Sequence, residues 1–397
     1  MRILVHLQNE ICTIPHDRRN GDSTGKTEGR EHHISSFQAF AISIASRVGT
    51  GNLAGVATAI TLGGPGAVFW MWVIALFGAS SAFIESTLAQ LYKVHGHNSF
   101  VGGPAYYMKK GLKQPWMGIL FAFLLIFTFG FAFNSVQSNT ICAAFEEAFN
   151  ISPALMGCIL TALTLIIIFG GIQRIAKVSS IIVPIMALGY IFLALFIVIM
   201  NVKHLPGVIE LIIENAFGWE QALGGGIGMA LMQGIKRGLF SNEAGMGSTP
   251  HAHALAKVEC PQDQGAVAIL GVFVDTFVVL TLTGLVLITS GLIPQGMTGT
   301  ALTQAAFSQS FGGFGPIFIA VCMFFFAFST IIGWYFFGQS NFKALFGEKL
   351  LPVYSIIVVA FILVGSTLKV DLVWALADLF NGLMAIPNMI ALFALSG

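Results

Sequence analysis

Two stretches of this chain set polar groups and glycines inside apolar surroundings, and they are the places to look for chemistry. Ser46 to Gly55 reads SRVGTGNLAG, and Arg237 to Pro250 reads RGLFSNEAGMGSTP. In the first, Gly49, Gly51 and Gly55 each weaken a helix by about 1 kcal/mol relative to alanine, while Arg47, Thr50 and Asn52 add polar groups. In the second, Gly238, Gly245 and Gly247 surround Ser241, Asn242 and Glu243. Backbone opened at membrane depth is tolerated only where it is buried in protein or lines a watery cavity. There, freed amides at a half-helix amino end suit an anionic group such as a carboxylate, and freed carbonyls suit a cation. Close packing of small residues is the competing reading of the first stretch, but it leaves the polar side chains without partners.

These stretches must be held by membrane-spanning helices. Of 397 residues, 56% are hydrophobic and 9% charged, against about 25% charged in soluble domains. Apolar runs long enough to cross about 30 Å of hydrocarbon fall roughly at 36–60, 66–92, 116–149, 153–171, 179–200, 222–241, 264–291, 315–340, 351–367 and 371–395. The ten-residue alternation of a β-barrel is absent. The expected fold is therefore all-α and integral to the membrane, with about ten spans in one transporter domain, 35–397, behind a polar, disordered tail, 1–34. The two polar stretches interrupt the first and sixth spans, each the first of five. Five is odd, so the halves enter the membrane from opposite sides, as an inverted-topology repeat does, with repeat one about 35–201 and repeat two about 221–397. Paired interruptions at corresponding positions are the sequence mark of a secondary transporter's midplane site.

Other intramembrane polar residues are weighed against that frame. Asn134, Gln137 and Ser138 can share one helical face, which either lines the cavity or bonds a neighbouring helix. Ser329 and Thr330 offer adjacent hydroxyl oxygens, although mid-helix hydroxyls usually bond their own i−4 carbonyl. Glu85, Asp275 and Asp378 lie near or within spans; Asp275 is expected first as an ion-pair partner and second as a proton or cation carrier. Gly21 to Thr27, GDSTGKT, has one residue too few for a phosphate-binding loop and lacks its flanking strand. The pairs His95/His97 and His251/His253 lack further ligands at metal spacing and are expected as loop histidines at the cytoplasmic surface. Cys12, Cys142, Cys158, Cys260 and Cys322 show neither zinc nor disulfide spacing. No signal-peptide pattern is present. The net charge of +1 excludes a nucleic-acid partner, since no basic face exists to neutralise phosphates. Of the 19 Lys and Arg residues, only Lys203 and Lys369 fall in connections on the far side, so both termini are expected in the cytoplasm.

An ordered set of motifs then becomes visible: SRVGTGNLAGVATAI (Ser46 to Ile60), GGPGAVFWMW (Gly63 to Trp72), GGPAYYMKKGL (Gly102 to Leu112), GGIQRIAKVS (Gly170 to Ser179), RGLFSNEAGMGSTPHAHA (Arg237 to Ala254), FSTIIGWYFFG (Phe328 to Gly338) and ADLFNGLMAIPN (Ala377 to Asn388). By these the chain resembles the sodium:alanine/glycine symporter family over nearly everything from residue 35 onward. The resemblance implies a LeuT-type fold in the inner (plasma) membrane, surrounded by lipid, and sodium-driven uptake of alanine or glycine without enzymatic activity. It implies no cofactor, only Na+ as coupling ion. It further implies a substrate carboxylate at backbone amides near Thr50 and Gly51 with Asn52 and Asn242 close by, and Phe240 and Trp334 around the substrate side chain. Sodium would sit between the carbonyls of Ala45 and Val48 and the hydroxyls of Ser329 and Thr330, and no transition-metal site is implied.

Family members usually carry a further apolar helix ahead of the first broken span, where this chain has charged sequence. The chain is expected either to have lost a peripheral helix or to start within a longer one. Two alternatives stay open: proton coupling through Asp275 or Glu243, and a binding or sensing protein without flux. An intramembrane enzyme is disfavoured, because no span pairs carboxylates, or a histidine with a nucleophile, at facing positions.

Overall fold

The computed structural model describes residues 34–96, 99–217, 226–293 and 296–396. GDSTGKT, Cys12, His97 and residues 221–225 lie outside them. The described chain is helical nearly throughout. In order come α1 (Ser36–Arg47), α2 (Ala54–Gly63), α3 (Gly66–Leu91), a hairpin of β1 (Val94–His95) and β2 (Phe100–Val101), α4 (Pro104–Lys110), α5 (Pro115–Phe149), α6 (Pro153–Ile168), α7 (Gly171–Met200) and α8 (Leu205–Phe217). The second half continues with α9 (Gly226–Asn242), α10 (Pro250–His253), α11 (Pro261–Ser290), α12 (Gly299–Phe311), α13 (Phe314–Phe346), α14 (Leu351–Gly365) and α15 (Val370–Leu395). Prolines open α4, α5, α6, α10 and α11, at the one helical position where a missing N–H costs nothing.

Seven helices among the described residues are long and apolar enough to cross a membrane: α3, α5, α7, α11, α13, α14 with its preceding turn, and α15. Their outer faces carry side chains such as Phe77, Ile185, Phe192 and Phe393, each about two-thirds exposed or more. In water such a surface would drive aggregation; in a bilayer it is lipid contact. Glu85, Gln137, Asp275 and Thr330, on four of these helices, are buried.

Two helices fall between the apolar runs. Helix α8 carries Glu210 and Glu214 and buries Val208, Ile212 and Ala216, a four-residue stripe that lays one face on α3 and leaves the acids outside. Helix α12 buries Thr300, Thr303 and Gln304 beside Leu302 and Phe307, so its hydropathy is too low to mark it as a span.

Both polar stretches interrupt their helices. Helix α1 stops at Arg47, Thr50–Asn52 makes one 3-10 turn, and α2 resumes at Ala54. Helix α9 stops at Asn242, the chain passes through residues 243–249, and α10 begins at Pro250. An asparagine closes each interruption: the Asn52 side chain accepts from Gly49 N at 3.0 Å, and the Asn242 side chain accepts from Ala244 N at 3.0 Å. Such local side-chain bonds offer the backbone an alternative to helix. Two long helices also contain π segments, Thr128–Ala132 within α5 and Phe273–Leu280 within α11, a deviation frequent at functional sites.

Candidate functional site

The first interruption sits against α13. Thr330 Oγ1 lies 2.7 Å from the Ala45 carbonyl and 3.4 Å from that of Val48, and 2.9 Å from Phe326 O in its own helix. Three of the four residues expected around sodium thus meet, and all are buried. Carbonyl and hydroxyl oxygens are the hard donors an alkali cation takes. Ser329 differs. Its hydroxyl donates to Phe326 O at 2.9 Å and lies 3.8 Å from the Met186 sulfur, so here it serves its own helix. Gly49 is glycine for space: a Cβ there would stand 2.7 Å from Thr330 Oγ1.

One turn on, Thr50 N donates to Gln137 Oε1 at 3.2 Å, which settles that Gln137, on α5, faces the interruption. A Cβ on Gly51 would lie 3.1 Å from the Phe240 ring and from Ser241 Cα, so the two interruptions touch there. Around this point Phe240, Phe133 and Trp334 form an aromatic corner. Phe133 has its ring centre 4.7 Å from Phe240 and 4.9 Å from Trp334, and Phe240 and Trp334 are 5.9 Å apart. Trp334 is more than an apolar wall, because its indole N–H donates to Glu243 Oε1.

Glu243 is the residue after the α9 break, with a φ of +54°, uncommon for a non-glycine side chain. Its Oε2 accepts from Ser248 at 2.6 Å and Ser46 at 3.2 Å. Asp275 comes from the π segment of α11 and accepts from Asn52 Nδ2 at 2.7 Å, Ser241 Oγ at 3.0 and 3.1 Å, and Thr276 Oγ1 at 3.0 Å. This corrects the ion-pair expectation: its neighbours are neutral donors from the first interruption, the last turn of α9 and its own helix, and among the described residues it enters no salt bridge. Asn242 contributes to its own turn and reaches Thr276 Oγ1 at 3.5 Å.

Glu85, on α3, takes the amides of the second interruption. Gly245 N donates to one oxygen at 3.3 Å, Gly247 N to the other at 3.1 Å, and Asn388 Nδ2 adds a third bond at 3.0 Å. Both glycines have φ near +82°, a conformation only glycine adopts freely. Tyr107 donates to the Asn388 side-chain oxygen, so the whole cluster is bonded. Arg47 donates to Ala268 O at 3.0 Å and Thr249 Oγ1 at 3.1 Å. It spans from the end of α1 to the end of the second interruption.

The histidines are a second correction. His251 and His253 are buried, not surface residues. His251 bonds Ser248 O and Asn341 Nδ2, and His253 bonds Gln264 and Ser43; a full set of internal partners makes burial affordable. His251 also borders a cavity of about 580 Å³ between the β1–β2 hairpin, α7 and α13, lined by Tyr106, Leu255, Phe336 and Lys343. At the other end, Arg237 pairs with Asp378 at 2.9 Å and lies 4.2 Å over the Trp374 ring, which meets Phe240 at 4.9 Å.

Several buried polar atoms of the first interruption and of α5 have no partner: Thr50 Oγ1, Gln137 Nε2 and both amide atoms of Asn134. Each such group costs about 1–3 kcal/mol when left unsatisfied. The hydroxyl of Ser138 instead bonds Ser135 O at 3.2 Å.

Broken helices, apolar outer faces and a buried polar centre define a multi-pass membrane transporter. The chain belongs to the sodium:alanine symporter family, whose model matches residues 15–397. It is 52% identical to a protein of Bacillus subtilis named as a probable sodium/glutamine symporter, GlnT, over 94% of this chain and 78% of that one. It is 42% identical to the sodium/alanine symporter AgcS of Methanococcus maripaludis, over 98% and 87%. Among solved structures it is similar to MhsT in complex with L-phenylalanine, with a TM-score of 0.68 at 17% identity, over 91% of this chain and 89% of that one. The fold is LeuT-type, and the class is cation-coupled amino-acid transport.

Proposed function

We propose that this chain is a sodium-coupled symporter that imports a small neutral amino acid, alanine or glycine, by alternating access. The observation that carries this reading is the meeting of Thr330 Oγ1 with the carbonyls of Ala45 and Val48, two residues before the Thr50 amide that points at Gln137. Sodium held by these oxygens, with Ser329 turning in to join them, orders the same loop that receives the substrate carboxylate at Thr50, Gly51 and Asn52. Phe240 and Trp334 enclose the side chain, and Asn242 holds the facing turn. Relatives named for sodium with alanine or glutamine support the coupling ion and the neutral substrate class.

In this reading about ten spans form a 5+5 inverted repeat in the inner membrane with both termini cytoplasmic. The 580 Å³ cavity beside Lys343 is then the inner vestibule, and the Arg237–Asp378 pair closes the outer side. The driving force suffices. One sodium entering at about 100 mV contributes about 2.3 kcal/mol and a tenfold gradient about 1.4, enough for accumulation on the order of 500-fold.

A second reading, proton coupling, is favoured by Glu243, a buried carboxylate bonded to pocket residue Trp334. Uptake of labelled alanine into proteoliposomes separates the two. Accumulation under an inward sodium gradient supports the first, and accumulation only under a proton gradient of equal driving force replaces it with the second. Alanine binding without flux under either gradient removes transport itself.

A further inference from the structure

We propose that the notch between α4, the start of α5 and the end of α13 binds an anionic phospholipid, with its phosphate at Lys109 and an acyl chain along α5. This site stands apart from the transport reading, since it needs only a chain that spans a bilayer. A cavity of about 270 Å³ lies there, lined by Ala105, Tyr106, Lys109, Gly118, Ile119 and Ala344. A Cβ on Gly118 would stand 2.8 Å from the Ala105 carbonyl oxygen, so α4 and α5 meet there with no side chain between them.

Charge selects the headgroup. Lys109 and Lys110 end α4, and the turn to α5 adds Lys113. In that turn Leu112 N donates to Tyr107 O at 3.1 Å and Gln114 N to Met108 O at 3.0 Å, which folds it back on α4 and keeps the three lysines on one short segment. All three are exposed, and among the described residues none enters an ion pair. Lys343 and Lys236 differ, being paired with Glu348 and Asp378. No Asp or Glu occurs between Glu85 and Glu146, so the positive charge has no local compensation. A basic recess between membrane helices suits an anionic lipid headgroup.

The apolar surface continues from the same notch. Trp116, the second residue of α5, is nearly two-thirds exposed and donates its indole N–H to Gln114 Oε1 at 2.9 Å; exposed tryptophan at the end of a span marks headgroup depth. Along α5, Ile119, Phe123 and Phe127 recur every four residues, each between two-fifths and one-half exposed, over about 12 Å of helix. Phe346 on α13 borders this seam, its ring centre 5.8 Å from that of Phe123. Ile119 belongs to both seam and cavity, so a headgroup in the notch leads directly into a chain on the seam. Tyr106 and Ala344 line this notch and the 580 Å³ cavity alike, so the lipid bears on a wall the two share.

The test is fluorescence quenching of the full chain in phosphatidylcholine vesicles, with brominated phosphatidylglycerol or brominated phosphatidylcholine as quencher. The signal of Trp116 is the difference between the unaltered chain and Trp116→Phe. Brominated phosphatidylglycerol is expected to half-quench it at a mole fraction at least about fivefold lower than brominated phosphatidylcholine, about the factor one lysine contributes at an anionic surface. Equal quenching by the two lipids overturns the inference whatever any variant does. Lys109→Gln with Lys110→Gln should bring the two lipids within about twofold of each other. Lys177→Gln with Lys349→Gln, which removes the same charge from the same end of the helices, should keep most of the preference. Equal loss in both pairs would make the effect one of general surface charge and overturn the site. Loss of the preference on adding soluble glycerol phosphate would make the notch a small-phosphate site and overturn the lipid.

Discussion

Asn52 Nδ2 lies 2.7 Å from Asp275 Oδ1, and through this bond the first interruption is fastened to a carboxylate that the last turn of α9 also holds through Ser241. The two broken helices share one anchor. Asp275→Asn replaces one acceptor oxygen with a donor that faces donors already in place. Hydrogen bonds to charged groups contribute about 1.5–3 kcal/mol, so a lower melting temperature and at least about tenfold weaker alanine binding are expected. Thermal melts with and without alanine would check this, and an unchanged melt would mean that the anchor is dispensable.

Gly49 tests the cation reading by size alone. Its absent Cβ leaves the space where Thr330 Oγ1 sits 2.7 Å away. Gly49→Ala should push the hydroxyl off the carbonyls and raise the sodium concentration for half-maximal uptake about tenfold or more. A sodium titration of alanine uptake reads the outcome directly.

Thr330 and Ser329 are expected to differ. Thr330→Ala should weaken sodium dependence strongly, because its hydroxyl lies among three carbonyls. Ser329→Ala should weaken it less, as that hydroxyl is turned to Phe326 O. Equal losses in sodium titrations of the two variants would show that Ser329 swings in when the ion binds.

In the proposed function Trp334 has two separable roles. Trp334→Phe keeps most of the ring but removes the donor to Glu243, so the variant should keep its size limit while losing stability by about 1–3 kcal/mol. Trp334→Ala should also open the pocket to larger side chains. Competition by leucine, measured in both variants, distinguishes wall from donor.

How much of this could be read from sequence depended on what each residue's neighbours were. Glycines and polar residues grouped in SRVGTGNLAG and SNEAGMG marked both interruptions, because local propensity decides where a helix opens. The meeting of Ala45, Val48 and Thr330 came from family resemblance; Thr330 is 282 residues from Val48, and no local signal links them. Glu85, inside an apolar run and 160 residues from Gly245, gave no hint that it grips Gly245 and Gly247. Asp275 was noticed as a charge in a span, but an ion pair and a ring of neutral donors look alike until the fold brings Asn52 and Ser241 to it. The surface reading of His251 and His253 failed similarly, since Asn341 and Ser43 are distant in the chain. Helices α8 and α12 were passed over because charge or hydroxyl content dilutes their apolar stripes.

The grip of Glu85 on the second interruption has a consequence for counting. Two interruptions of similar build offer, on paper, two landing places for a solute anion. At the second, the amides of Gly245 and Gly247 already hold the carboxyl group of Glu85, which is tethered to α3 and cannot leave. At the first, the Thr50 amide rests on the neutral oxygen of Gln137, which the substrate carboxylate displaces in the proposed function. On the proposed reading, the protein carries its own imitation of the cargo in one berth and leaves the other for the passenger.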